Sequence, residues 1–262
     1  MNLLVGSLNV VLGIVYTSYG LMTWVDLRRG WSDNGVSHFG IAWLLMAFTC
    51  GPHHLDHGLH LLASQPVGGW LEFVTIAVGF PAGVIWFLLR VEAMRGGRGD
   101  RTVAGTPWWV EALPTLAALY LVAILTAAVG VGSGAVGPVP PTVIPNLLLV
   151  GLYSAIGYVL LRTQLLNHRS DGTWSVSGIT LTAVFPTCAL MHAAWAMYAT
   201  MGRYEITGHL LVVDVLAVPA AAYFLWVVWS LSRGAIQDWN RAAADSTPRT
   251  DEVLQDLGAV RT

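Results

Sequence analysis

The chain has 262 residues, of which 55% are hydrophobic and 11% are charged, and its net charge is −2. Soluble domains carry about 25% charged residues, so intrinsic disorder, a secreted disulfide scaffold and a soluble nucleic-acid-binding protein are all excluded. The mean hydropathy of +0.61 instead predicts an integral membrane protein with a lipid bilayer around it.

Seven stretches are long and apolar enough to cross a bilayer, which takes about 20 residues. They cover 3–27, 37–63, 69–91, 108–130, 142–166, 174–201 and 205–232. The breaks between them fall at polar or Gly/Pro-rich segments. We therefore predict an all-α integral membrane fold, with a seven-helix transmembrane domain at 1–232 and a polar tail at 233–262.

The positive charges indicate an orientation for this bundle. Lysine is absent, and of the 13 basic residues only Arg203 falls outside the segments that close the first, third, fifth and seventh predicted spans. Arginine is concentrated in the cytoplasmic loops of membrane proteins. We expect the N-terminus outside and the tail in the cytoplasm, and we expect a multi-pass protein of a bacterial plasma membrane.

The second predicted span ends in a group of ionisable side chains, namely His53, His54, Asp56, His57 and His60. On a helix, all of these except His54 share one face about 100° wide. Histidines at positions i and i+4, such as His53 and His57, present two imidazoles to one point, as helical metal sites do. Asp56 is then a further ligand or orients an imidazole. The alternative is a polar helix end whose histidines are simply hydrogen-bonded.

Other predicted spans bring ionisable side chains to the same half of the membrane. At about 1.5 Å per residue, His192 and Asp214 lie at nearly the depth of His53. The predicted metal ligands are His53, His57, His60, His192 and His209, and the candidate catalytic carboxylates are Asp56, Glu72 and Asp214. Because His209 and Asp214 are about 140° apart on a helical wheel, we expect His209 rather than Asp214 to join a shared ion.

Two cysteines, Cys50 and Cys188, are expected at one depth close to these histidines. Three interpretations are open for them. They are soft ligands that suit copper or zinc, small apolar packing residues, or partners in a disulfide between the second and sixth spans.

The leading functional hypothesis is a metal-dependent membrane oxidoreductase that uses copper or iron on an apolar or lipid-derived substrate. Zinc at the same site would favour an intramembrane lipid hydrolase. A haem-binding electron carrier with histidines from opposing helices is a further alternative. In a metal or proton transporter, the polar face of the second span would instead act as a relay.

Overall fold

The computed structural model describes residues 1–63, 70–134, 139–204, 206, 208–236 and 238. Most of the predicted tail at 233–262 lies outside these residues. The described chain forms seven long helices: α1 (Asn2–Asn34), α2 (His38–Leu62), α3 (Trp70–Met94), α4 (Trp108–Gly134), α5 (Ile144–Asp171), α6 (Val176–Thr200) and α7 (Gly208–Ser232). Each overlaps one predicted span, and the helical fold class is confirmed.

Six of the seven helices, all except α2, are long and apolar enough to cross a membrane. Helix α2 has the length, with 25 residues, but its second half carries four histidines and an aspartate, which lower its hydropathy. The six apolar helices identify the chain as a multi-pass membrane protein.

Serine side chains cap the N-termini of helices α2 and α6. Ser37 Oγ accepts a hydrogen bond from Gly40 N at 2.9 Å at the start of α2, and Ser175 Oγ accepts one from Gly178 N at 2.9 Å at the start of α6. Each serine thereby satisfies a backbone donor that the first turn of a helix leaves unpaired.

Helices α1 and α2 pack antiparallel along facing glycines. Gly13 lies against Gly51 and Leu55, while Gly6 lies against Gly58. A β-carbon at position 13 would be 2.6 Å from Leu55 Cγ and 2.8 Å from the Gly51 carbonyl oxygen. Small residues allow such close backbone approach in membrane bundles. The contact fixes α2, and hence its histidines, against α1.

The sequence did not predict a two-stranded antiparallel ladder between β1 (Thr102–Ala104) and β2 (Thr173–Ser175). This ladder joins the α3–α4 connection to the α5–α6 connection, so the two connections lie at one end of the bundle. Arg90 of α3 pairs with Asp26 of α1 towards the same end. We call this the arginine end. The opposite end, where α2 finishes, is the histidine end.

An aromatic core fills the bundle on the arginine side of the histidines. The Trp43 and Trp86 rings meet edge to face with centroids 3.8 Å apart, and Tyr19 stacks on Trp86 at 4.2 Å. Phe185 and Phe224 extend this core across α6 and α7. The packing separates the histidine cluster from the arginine end.

We predict that Gly13→Ala lowers the stability of the bundle by about 1–3 kcal/mol, because the added methyl group overlaps the backbone of α2. Gly151→Ala on α5 is the matched control, since nothing lies within 4 Å of a β-carbon there. Helix propensity alone should leave the control as stable as the wild type, or stabilise it by up to about 1 kcal/mol. Thermal unfolding in detergent measures both variants, and equal melting temperatures would contradict the packing described for α1 and α2.

Candidate metal centre

Asp214 is the centre of a polar network that joins four helices. This α7 residue is 1% exposed. Its Oδ2 accepts a hydrogen bond from Asn146 Nδ2 of α5 at 2.6 Å, and its Oδ1 lies 2.8 Å from His53 Nδ1 of α2. On α6, His192 Nδ1 lies 2.6 Å from Asn146 Oδ1. One connected set of polar side chains therefore links α2, α7, α5 and α6.

An ionised Asp214 can only accept hydrogen bonds, and this determines where the protons lie in the network. Because Asp214 only accepts, the Asn146 amide must turn its NH₂ group to Asp214 and its carbonyl oxygen to His192. His192 Nδ1 is therefore the protonated nitrogen that donates to Asn146. The lone pair of a neutral His192 is then on Nε2, which is how neighbouring groups orient histidine ligands in metal sites.

His53, His192 and Asp214, which we call the buried triad, could hold a metal ion. Each offers one ligand atom, and these atoms lie within 4.8 Å of one another. Within the described chain, His53 Nε2 and Asp214 Oδ1 are buried without a hydrogen-bond partner. His53 Nδ1 lies at ion-pair distance from Asp214 Oδ1, but the orientation is not that of a hydrogen bond. Buried polar atoms are rarely left unpaired, and metal ligation would satisfy both.

A small cavity adjoins the buried triad. Its lining consists of imidazoles, sulfur-bearing side chains and one indole, contributed by Cys50, His53, His54, Cys188, Met191, His192 and Trp195. The Trp195 ring stacks on His53 with centroids 4.2 Å apart. Both cysteines are free, so the disulfide interpretation is wrong. They also line a neighbouring apolar cavity beside Tyr16 and Tyr153.

His54 points away from the buried triad, as its direction on the helical wheel implied, but it still lines the small cavity. The ring turns towards α1, where His54 Nδ1 lies 2.7 Å from Asn9 Oδ1. Asn9 Nδ2 donates to the Val5 carbonyl oxygen at 2.9 Å, so its own oxygen faces His54 and accepts from it. The sequence reasoning named His54 but gave it no partner, and it missed Asn9 and Asn146. The available signal for the two asparagines was an amide side chain within an otherwise apolar span.

His57 and Glu72 form a separate, fully buried pair. His57 Nε2 contacts Glu72 Oε1 of α3 and lies 3.2 Å from the indole nitrogen of Trp195. Its Nδ1 is 3.4 Å from the Tyr204 hydroxyl. Burial raises the pKa of Tyr204, so that hydroxyl stays protonated. The structure places His57 in this pair and not in the buried triad.

A third group lies nearer the histidine end. Asp56, His60 and His209, which we call the outer triad, also have ligand atoms within 4.8 Å of one another. His209 and Asp214 thus belong to different groups, as their separation on α7 implied. It is Asp214, however, that accompanies His53 and His192. The predicted site residues are all near the histidine end, but the structure divides them among two triads and the His57–Glu72 pair.

Comparisons with known protein families, with curated proteins and with solved structures found no match to this chain. Function is therefore inferred from the chemistry of the site.

We predict that Asn146→Leu destabilises the protein by about 1–3 kcal/mol, because Asp214 Oδ2 and His192 Nδ1 each lose a buried hydrogen bond. Asn167→Leu introduces the same chemical change on an exposed turn of α5 and should alter stability by less than about 0.5 kcal/mol. Thermal unfolding of the two variants in one detergent makes the comparison. Equal effects at the two positions would contradict a structural role for the amide bridge.

Proposed function

We propose that this protein is a membrane-embedded metal-dependent oxidoreductase whose metal is held by the buried triad. The observation that carries the proposal is the convergence of His53, His192 and Asp214 from three helices, with ligand atoms within 4.8 Å of one another. Asn146 restrains both His192 and Asp214. Ligands held by packed helices and by neighbouring hydrogen bonds are typical of a preorganised metal site.

The proposal includes α2 as a seventh membrane span. Three of the four histidines in its second half face inwards, since His53, His54 and His57 are buried and each meets a partner from another helix. A helix with ionisable groups can lie in a bilayer when those groups face the bundle interior. The concentration of arginine at the other end supports a histidine end outside and a C-terminal tail in the cytoplasm.

The surroundings of the buried triad favour a redox metal. Imidazole suits copper and iron, and soft sulfur favours copper in particular; here Cys50, Cys188 and Met191 line the adjacent cavity. A bound copper or iron ion would supply electron transfer. The chain would contribute Asp214 and Asn146 to orient the ligands. The indole and the sulfur-bearing side chains around the small cavity would limit the access of water to the ion.

The direct contact of two imidazole rings favours a bare ion over haem. The His53 and His192 rings meet edge to face with centroids 5.1 Å apart, so a wide planar macrocycle has no space between them. The adjoining cavity is also too small to hold one.

We predict that purified protein contains about one equivalent of copper or iron per chain, and that His53→Gln or His192→Gln lowers its affinity for that metal by about 10–100-fold or more. Elemental analysis, with absorption spectra before and after chemical reduction, measures metal content and redox activity. His38→Gln is the matched control, because His38 lies on the same helix near the arginine end, where it contacts Tyr223.

Two results would overturn the proposal. Metal retained at wild-type levels in both triad variants would exclude the buried triad as the site. Zinc as the sole metal, with no spectral response to reduction, would exclude the oxidoreductase and favour the hydrolase.

Labelling of introduced cysteines tests the proposed orientation in the membrane. Met201→Cys is near the histidine end and Ser170→Cys near the arginine end, both at exposed positions. A membrane-impermeant maleimide applied to intact cells should label Met201→Cys, and should label Ser170→Cys only after permeabilisation. The wild type, whose Cys188 is buried and Cys50 half-buried, gives the background. The reverse labelling pattern would contradict the proposed orientation.

A further inference from the structure

We propose that the outer triad is a second metal site, distinct from the buried triad, that takes a divalent transition ion of the zinc type from the aqueous phase at the histidine end. The proposal concerns Asp56, His60 and His209 and does not depend on whether the buried triad binds metal.

The geometry brings two imidazoles and one carboxylate together from two helices. Asp56 Oδ1 lies 2.9 Å from His209 Nε2 of α7, and Asp56 Oδ2 lies 3.3 Å from His60 Nδ1 one turn later on α2. The two imidazole rings are nearly parallel, with centroids 5.9 Å apart. Two histidines and a carboxylate that leave a further position open are a set that zinc uses in proteins.

A second observation points to a ligand. Asp56 Oδ2 is a buried atom, and no described residue makes a hydrogen bond to it. His60 Nδ1 is 3.3 Å from Asp56 Oδ2, which is an ion-pair distance. The same nitrogen is closer, at 2.9 Å, to the backbone carbonyl oxygen of Asp56. A carboxylate oxygen that is enclosed by imidazoles and lacks a hydrogen-bond donor is well placed to bind a cation.

The outer triad differs from the buried triad in its access to water. The side chains of Asp56, His60 and His209 are 26%, 29% and 66% exposed, whereas those of His53 and Asp214 are 6% and 2% exposed. An ion in the outer triad would therefore exchange with solution much faster than one in the buried triad.

Equilibrium dialysis of the full-length, detergent-solubilised protein against Zn²⁺ tests the proposal. The double variant His60→Gln/His209→Gln changes partly exposed side chains, so the bundle should remain folded, and a matching thermal unfolding curve verifies this. We expect the double variant to bind about one equivalent of zinc less than the wild type, since two of three ligands are gone. We expect brief EDTA treatment to remove that equivalent from the wild type first.

His38→Gln, which removes a histidine of α2 that belongs to neither triad, should bind as much zinc as the wild type. Equal zinc binding by the wild type and the double variant would overturn the proposal, as would the same loss in His38→Gln. Combining His60→Gln/His209→Gln with His53→Gln separates the two sites, because independent sites predict additive losses. A metal loss confined to His53→Gln would support the buried triad and refute the outer one.

Discussion

The buried carboxylate of Asp214 determines how four helices of this apolar bundle are joined. Moving an unpaired carboxylate out of water costs several kcal/mol even after the protein relaxes. Asp214 is stabilised by a hydrogen bond from Asn146 and by the neighbouring His53. These contacts tie α7 to α5 and α2, and Asn146 extends the connection to His192 on α6. Removing one member leaves other buried polar atoms unpaired, so these side chains act as a unit.

Helix α2 shows how a polar segment can lie within such a bundle. Its facing glycines allow α1 to approach closely on one side. Its ionisable side chains then meet different neighbours: His54 meets Asn9 of α1, and His57 meets Glu72 of α3. Such contacts lower the free-energy cost of polar groups in a low-dielectric interior, and they hold the imidazoles near one another. The same packing that satisfies α2 thus positions the candidate ligands.

Periodicity and hydropathy were sufficient to predict the helices, because a membrane-spanning helix needs a long apolar run and little else. The depth of the candidate metal site was also predictable, because successive helices run in opposite directions and the sequence then places His53, His192 and Asp214 at one depth. Their grouping was not predictable from each helix alone.

The residues missed by sequence reasoning show why. A helical wheel gives directions relative to one axis, so it placed His57 beside His53 but could not show that Glu72 of α3 occupies the space near His57. It also separated His54 from the cluster, although a partner on α1 holds His54 at the cavity wall. The contact between β1 and β2 depends on two connections far apart in the sequence. Each strand has only three residues, which is too short for an alternating pattern to indicate a strand.

We expect His53, His192 and Asp214 to be ligands of one ion, and X-ray absorption spectroscopy is the most informative experiment. In the metal-loaded His60→Gln/His209→Gln protein, whose outer triad has lost two of its three ligands, the first coordination shell should consist of light atoms and include two imidazoles. Adding His192→Gln should remove one imidazole from that shell. An imidazole contribution that His192→Gln leaves unchanged, or a shell composed of sulfur alone, would refute the buried triad as the metal site.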